Sequence, residues 1–261
     1  MSVFNQGQYL EESIRSILSQ TFKNFEFIIV NDACSDKSPQ ILKYWADRDS
    51  RIKIITNEEN IGLTKSLNKA IKEASGEYIV RQDSDDISLE ERLEKQVSFL
   101  DLHTDVKILG TFGYRISEDG TIIGKQRVPV SSNTIKKYII KKNPFMHTSV
   151  MMRKEIIEKV GYYNEKFNAS QDYELWFRIL KIAKGDNLPL FLIKKRYHKN
   201  MISIKKDKEQ IKNTIFFRKQ AIKKGDYSKL SYFYLLRPYL SSKLPGFLKI
   251  LIKKAIFKLS Q

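Results

Sequence analysis

This 261-residue sequence predicts an α/β fold: a doubly wound, mostly parallel sheet flanked by helices, with a basic helical C-terminal tail. Three observations lead there. Short β-branched and aromatic runs alternate with stretches of helical periodicity through the first hundred residues. Acidic residues stand where several of those runs end. The charge is uneven: residues 194–261 hold 19 Lys/Arg against 3 Asp/Glu, which is +16 of the net +17, so residues 1–193 are close to neutral.

The elements follow in order. Residues 8–20 place Tyr9, Leu10, Ser13, Ile14, Ile17 and Leu18 on one helical stripe. Phe25 to Asn31 is a short apolar run of the buried-strand type, closed by Asp32. Ser35 or Asp36 can cap a helix reaching about Asp47. Ile52, Ile54 and Ile55 mark the next strand, and Leu67, Ala70, Ile71 and Ala74 share a face of the helix after it. Glu77 to Gln82 is a strand, and Ser88 is placed to cap a helix through Leu102. Further on, 107–112 and 114–125 read as strands, the second a hairpin turning at Asp119-Gly120. Thr148 to Met152 is a short strand, 155–159 a helix ended by Gly161, 172–183 a longer helix and 188–197 a final strand. A domain over 1–203 followed by a basic helical extension over 204–261 fits this pattern.

Composition excludes several classes. Cys34 is the only cysteine, so no internal disulfide and no paired Cys/His zinc spacing exist. No secretory leader and no run of about 18 apolar residues is evident, which fits a reducing, cytoplasmic compartment. P-loop, G-x-G-x-x-G, G-x-S-x-G and H-E-x-x-H patterns are missing from the sequence. So are helix-turn-helix, zinc-finger and aromatic RNA-binding signatures, which argues against a nucleic-acid partner despite the charge.

Three acidic sites carry the chemistry: Asp32, the cluster Asp83-Ser84-Asp85-Asp86 and Asp172. Carboxylates at strand ends belong at the carboxyl edge of such a sheet, where ligands bind. A spaced pair there can hold a divalent cation against a diphosphate, and a separate carboxylate can act as a base. Each has a plainer reading, as a helix cap for Asp32, as a solvated turn for 83–86 and as a dipole-favoured helix start for Asp172.

The order of motifs resembles family 2 glycosyltransferases over about residues 2–203. The matching stretches are Val3 to Leu10, Ser16 to Thr21, Phe27 to Asp32, Asn60 to Leu63, Arg81 to Ser88 with Glu91 to Gln96, Gly161 to Phe167, Gln171 to Trp176, and Arg196-Tyr197-His198 with Ile202-Ser203. The resemblance implies a GT-A fold and inverting transfer of a sugar from a nucleotide-diphosphate donor, typically a UDP-sugar, to a hydroxyl of a glycan or lipid-linked acceptor. By position it implies that Phe4 and Asn5 line the base pocket and that Asp32 bonds the nucleobase. Arg81 and Asp83 would touch the donor, and Asp85 would hold Mg²⁺ or Mn²⁺ on the diphosphate in the D-x-D manner. Asp172 would be the general base, with Gln171 beside it on the acceptor side. His147 would lie near the site, and His198 would complete the metal or diphosphate site, against the alternative of an ordinary hydrogen-bonded histidine at a strand end.

Three departures from the family pattern stand out. The chain starts almost inside what is usually a longer apolar first strand, which predicts an unpaired neighbouring strand and a smaller core. Ala33-Cys34 replaces a common Gly-Ser, removing a permissive glycine. Gln171 replaces a usual Glu, removing a charge beside the base.

In the tail, Leu248, Leu251, Ile252, Ala255, Ile256 and Leu259 share one helical face, with Lys249, Lys253, Lys254 and Lys258 opposite. That pattern predicts an interfacial helix on an anionic membrane surface, hence peripheral attachment to the inner face of the cell membrane. A packed helix with a solvated lysine face is the alternative. Two further readings compete with a working transferase: a catalytically degenerate homologue, and a basic membrane- or nucleic-acid-binding protein without catalysis.

Overall fold

Every residue of Phe27–Asn31 is buried, so this strand needs cover on both faces, and the structure provides it. The structure is a computed structural model that describes residues 1–199 and 201–243. Its first half runs β1 (Ser2–Val3), α1 (Leu10–Leu18), β2 (Phe27–Asn31), α2 (Ser38–Ala46), β3 (Ile52–Thr56), α3 (Leu63–Glu73), β4 (Tyr78–Val80), β5 (Ile87–Ser88) and α4 (Arg92–Leu102). Then come β6 (Val106–Ile116), β7 (Ile122–Gln126), α5 (Ser132–Tyr138), a 3-10 turn at His147–Ser149, β8 (Met151–Arg153), α6 (Lys154–Val160), α7 (Gln171–Ile182) and β9 (Lys184–Arg196). The chain continues with α8 (Ile202–Lys205), α9 (Asp207–Lys223), a 3-10 segment at Lys229–Leu235 and α10 (Leu236–Lys243).

Helices between successive strands make β1, β2 and β3 parallel, with Val3 opposite Asn31 and Phe27 opposite Ile52. The second sheet has the order β4-β8-β6-β9-β5, with β7 on β6. Among the described residues its only parallel pair is β6 with β9, so parallel pairing there is confined to the first three strands and this one partnership. The α/β architecture is as expected, but the later half departs from a mostly parallel sheet. A tight turn after Ser117 returns β7 antiparallel, whereas a parallel return needs a crossover.

No ladder joins the two sheets among the described residues. Between β2 and β4 lies a cavity of about 680 Å³, bordered by Met1, Phe27 and Ile28 on one side and by Tyr78, Ile79 and Val80 on the other. Strand β4 pairs with β8 on one edge, and its edge towards this cavity carries no ladder among the described residues.

The main core joins α7 to the second sheet. Trp176, Leu175 and Ile179 are fully buried with Ile108, Met152 and Ile157, so Trp176 is packing, as its surroundings require. Trp45 is partly buried under the parallel sheet. Helix α9 reaches the same core through Phe217. Its Arg218 donates to the Tyr173 hydroxyl at 3.1 Å and to the Lys141 carbonyl at 2.6 Å, fixing α9 behind α7. Among the described residues no helix is long and apolar enough to cross a membrane. The predicted interfacial helix at 247–259 lies outside the described residues.

Two local expectations change. Thr148 and Ser149 belong to the 3-10 turn, and the strand itself is Met151–Arg153. Ser88 does not cap α4, which starts at Arg92. The Ser88 hydroxyl instead donates to Gln82 Oε1 at 2.8 Å and accepts from Arg92 at 2.8 Å. Arg92 has no exposed surface and donates also to Gln82 Oε1, Gln96 Oε1 and the Arg81 carbonyl at 2.9–3.0 Å. Burial pushes its guanidinium down to about 9, still far above neutral pH, so it stays charged. Replacing Arg92 with Met removes these bonds and leaves buried acceptors unsatisfied. The expected loss is about 3 kcal/mol in urea-unfolding stability.

Candidate active site

Past β4 the chain makes a tight turn that displays its carboxylates in different directions. The Asp86 N–H donates to the Asp83 carbonyl at 3.3 Å, and Gln82 Nε2 donates to the Asp86 carbonyl at 2.7 Å. Asp83 is paired with the buried Arg81 guanidinium, and its N–H donates to Thr148 Oγ1 at 3.2 Å. Burial pushes the Asp83 carboxyl up, but Arg81, His147 and Lys195 together outweigh it and hold it below the ordinary range. Asp86 is driven the other way, up, by burial and then by the Asp85 and Asp83 charges. Its carboxyl accepts from the Arg196 N–H at 2.8 Å, which makes it a tie to β9 rather than an open ligand.

Asp85 is 19% exposed, with Oδ2 2.8 Å from His198 Nε2. Arg196 holds it in place. This arginine, 2% exposed, donates to the Asp85 carbonyl at 3.0 Å and the Glu118 carbonyl at 2.8 Å, and is ion-paired to Glu12 of α1. Tyr9 lies under the Arg196 guanidinium and 5.1 Å from the His198 ring.

Asp32, 1% exposed, ends β2 but does not cap α2. Its Oδ1 accepts from Asn57 Nδ2 at 2.8 Å and the Ile61 N–H at 3.0 Å, and its Oδ2 accepts from the Gly62 N–H at 3.0 Å. The carboxylate therefore fastens the β3–α3 loop, where Gly62 has φ 87, and keeps one Oδ2 lone pair uncommitted. Phe4 is 47% exposed on the neighbouring loop. Asn5 adopts φ 51 and accepts from the Ser35 N–H at 2.9 Å, so its side chain staples the β1–α1 and β2–α2 loops. Ala33 holds φ 56, a left-handed geometry that a glycine would take without strain. The loop thus keeps its path without the glycine.

Asp172 stands in the first turn of α7, where its Oδ2 accepts from Asn143 Nδ2 at 2.8 Å. Gln171 beside it is buried. His147 Nε2 lies 2.8 Å from the Tyr163 hydroxyl. Burial and then Arg81 push the His147 imidazole down to about 4, although Asp172 and Asp83 pull it up.

Arg81, Asp83 and Asp172 all act on the charge of His147, and Asp85, in the same turn as Asp83, pairs with His198. Asp32 and Asn5 are held in the adjoining loops, with Phe4 exposed beside them, and Gln171 is packed inward. Sequence reasoning missed Lys195, whose charge is felt by Asp83 and His147 and which itself feels Asp172. Its only signal was a second lysine late in a strand whose neighbours were already basic. Among the described residues no three His, Cys, Asp or Glu side chains cluster as a metal site. Asp85 and His198 form a two-residue donor set of carboxylate and imidazole. That set fits a divalent cation whose other ligands are phosphate oxygens and water.

Residues 1–161 match the family described as Glycosyl transferase family 2. The chain belongs to that family. An uncharacterized glycosyltransferase of Methanocaldococcus jannaschii is 41% identical over 201 residues, 75% of this chain and 69% of the relative. The putative glycosyltransferase EpsE of Bacillus subtilis is 34% identical over 94% of this chain and 88% of its own. The O-antigen biosynthesis glycosyltransferase WbnJ of Escherichia coli is 39% identical over 76% and 78%. In fold, this glycosyltransferase resembles S. aureus TarS 1–349 in complex with UDP, with TM-score 0.67 and 19% identity over 91% of this chain and 69% of that one. It spans 38% of the chain in another TarS crystal structure. Mannosyltransferase PcManGT of Pyrobaculum calidifontis, in complex with GDP-Man and Mn²⁺, also gives TM-score 0.67, at 15% identity over 99% and 79%. These neighbours identify the GT-A fold.

Two properties of the glycosyltransferase's cleft are measurable without substrate. Ala33→Gly relieves the left-handed strain and is expected to raise stability by about 0.5–1 kcal/mol in thermal melts. His147 titrates near 6.5 in an unfolded chain and near 4 in the folded one, so the unfolded state takes the proton first. The stability it contributes, up to about 3 kcal/mol, is complete above pH 6.5 and falls as pH drops through 4. Urea titrations of wild type and His147→Asn should diverge across that window.

Proposed function

We propose that this glycosyltransferase moves a sugar from a nucleotide-diphosphate donor, a UDP-sugar, to a hydroxyl of a glycan or lipid-linked acceptor with inversion. One observation carries the reading. The turn that carries Asp83 and the helix start that carries Asp172 lie close enough that His147 and Lys195 each feel the charge of both. Donor-side carboxylates and a separate base are the two things such a transfer requires.

In this reading Asp172 accepts the proton of the acceptor hydroxyl while its oxygen bonds to the anomeric carbon. The bond from that carbon to the diphosphate oxygen breaks, and UDP leaves. Asn143, bonded to Asp172 Oδ2, orients the base and leaves Oδ1 for the proton. Asp85 and His198 would hold Mg²⁺ or Mn²⁺, which when bound neutralises charge on the leaving diphosphate. Arg81 keeps Asp83 ionised and fixed for a donor hydroxyl. Phe4 offers an exposed aromatic face to the base, with the Asn5 and Asp32 loops behind it.

The wider company of the chain supports the donor and acceptor classes. TarS 1–349 has been crystallised with UDP-GlcNAc, at TM-score 0.66 and 20% identity. The amylovoran biosynthesis glycosyltransferase AmsE of Erwinia amylovora is 30% identical over 91% of this chain and 90% of its own.

The test is release of UDP from a panel of UDP-sugars, with GDP-mannose included, in the presence of Mn²⁺ or EDTA. One donor should be turned over only with metal. Asp172→Asn should lower the rate at least about 100-fold while UDP binding persists, and Asp85→Ala should weaken metal-dependent UDP binding as well. Full turnover in EDTA, or by Asp172→Asn, would overturn the assignment.

A further inference from the structure

The segment after α9 has an inner side fixed by the core and an outer side that stays exposed. Inward, the Tyr234 carbonyl accepts from Arg218 at 3.0 Å, and the Lys141 ammonium lies 5.1 Å from the centre of the Tyr234 ring. Tyr234 also packs against the cluster of Ile140, Ala221 and Ile222. These contacts decide which side of the 3-10 segment Lys229–Leu235 turns outward.

A 3-10 segment has about three residues per turn, so Leu230, Phe233 and Leu236 stand in one line. The α-helical period of α10 carries that line on from Leu236 to Leu240. The exposures agree with the geometry. Leu230 is 86% and Phe233 71% exposed, and Leu236 and Leu240 are each more than half exposed. Single apolar residues on a surface are ordinary, but four large ones in a continuous row mark a surface that meets something apolar. Tyr232, also exposed, flanks the row.

Charge narrows what that something is. Lys229 and Arg237 are exposed beside the row. From Tyr227 to Gln261 the sequence holds seven Lys/Arg and no Asp/Glu. A second copy of this chain in a two-fold pairing would set those cations against one another. An anionic lipid layer satisfies both features at once. Leucine and phenylalanine enter the acyl boundary, tyrosine sits at headgroup level, and the cations stay at the phosphates.

We propose that the row Leu230, Phe233, Leu236 and Leu240 is a docking edge that lies on an anionic lipid surface, with Lys229 and Arg237 at the phosphates. The docking has a direction. Arg218 joins the Tyr234 carbonyl to the Tyr173 hydroxyl of α7, the helix whose first turn carries Asp172. One side chain therefore holds the row and α7 together, and docking sets the tilt of α7 relative to the lipid layer. Lipid binding needs neither donor nor metal, so the inference goes beyond the transferase reading and does not depend on it.

The test is co-sedimentation of the full chain with vesicles of equal parts phosphatidylcholine and phosphatidylglycerol, and with vesicles of phosphatidylcholine alone. The wild type should bind the mixed vesicles at least about 10-fold more tightly than the neutral ones, and less tightly as salt rises. Leu230→Ser combined with Phe233→Ser should weaken that binding at least about 10-fold. The double variant should melt within about 2 °C of the wild type, because both side chains are exposed. Phe233→Trp should shift its emission to the blue on the mixed vesicles, once the Trp45 and Trp176 signal recorded with the wild type is subtracted. No binding by the wild type, equal binding to neutral vesicles, equal binding by the double variant, or an unshifted Phe233→Trp emission would each overturn the proposal. So would a dimer that the double variant abolishes, which would give the row to a second copy. A large loss of stability in that variant would give the row to the chain's own residues and overturn it too.

Discussion

Arg92, fully buried, ties together the elements on which the acidic turn rests. The Arg92 guanidinium has no carboxylate within ion-pairing distance among the described residues and is satisfied by neutral oxygens from the segment just after β4, from β5 and from its own helix. Desolvating such a charge is costly, and hydrogen bonds to most of its donors are what make it tolerable. The same bonds spread outward. Gln96 continues to the Leu109 and Ser149 carbonyls, and Gln82 continues to Ser13 and the Asp86 carbonyl. Helix α1, helix α4, the turn at 83–86 and the approach to β8 are thereby fixed relative to one point. Apolar packing alone, which has little directionality, would not set a carboxylate to this precision.

Around that point the acidic residues divide their work by environment. Asp83 is kept charged by Arg81, Asp86 is driven toward its neutral form by burial and by like charges, and Asp85 keeps a partly open carboxylate beside His198. Three identical side chains within four positions thus receive an ion pair, a buried tie and a histidine partner. The difference lies in what each one faces, since their local sequence is nearly the same.

That is also where sequence reading reached its limit. Phe27–Asn31 and the α1 stripe were legible because an apolar run or a helical period reports burial directly. The order of acidic motifs placed Asp32 and the 83–86 turn just past strand ends for the same reason, since strand ends in an alternating chain have few places to go. Ser88 was misread because a serine ahead of a helix has a cap as its local preference, and a buried guanidinium eleven residues from Arg81 supplies a stronger partner. Asp32 was legible as a strand-end carboxylate, but its grip on Ile61 and Gly62 spans about thirty residues and leaves no local trace. Lys195 was hidden by its neighbours, because adjacent strand residues face opposite sides and composition does not say which of several lysines enters a cleft.

The seat of α9 has a consequence for how this chain can be shortened. Phe217 belongs to the core beneath α7, and Arg218 bonds the hydroxyl of Tyr173, the residue after Asp172. A protein engineer who trimmed the basic segment at 204, aiming only to remove positive charge, would also withdraw the brace behind the helix that presents Asp172. Charge reversal on exposed lysines, with Phe217 and Arg218 left in place, separates the two effects where a deletion merges them.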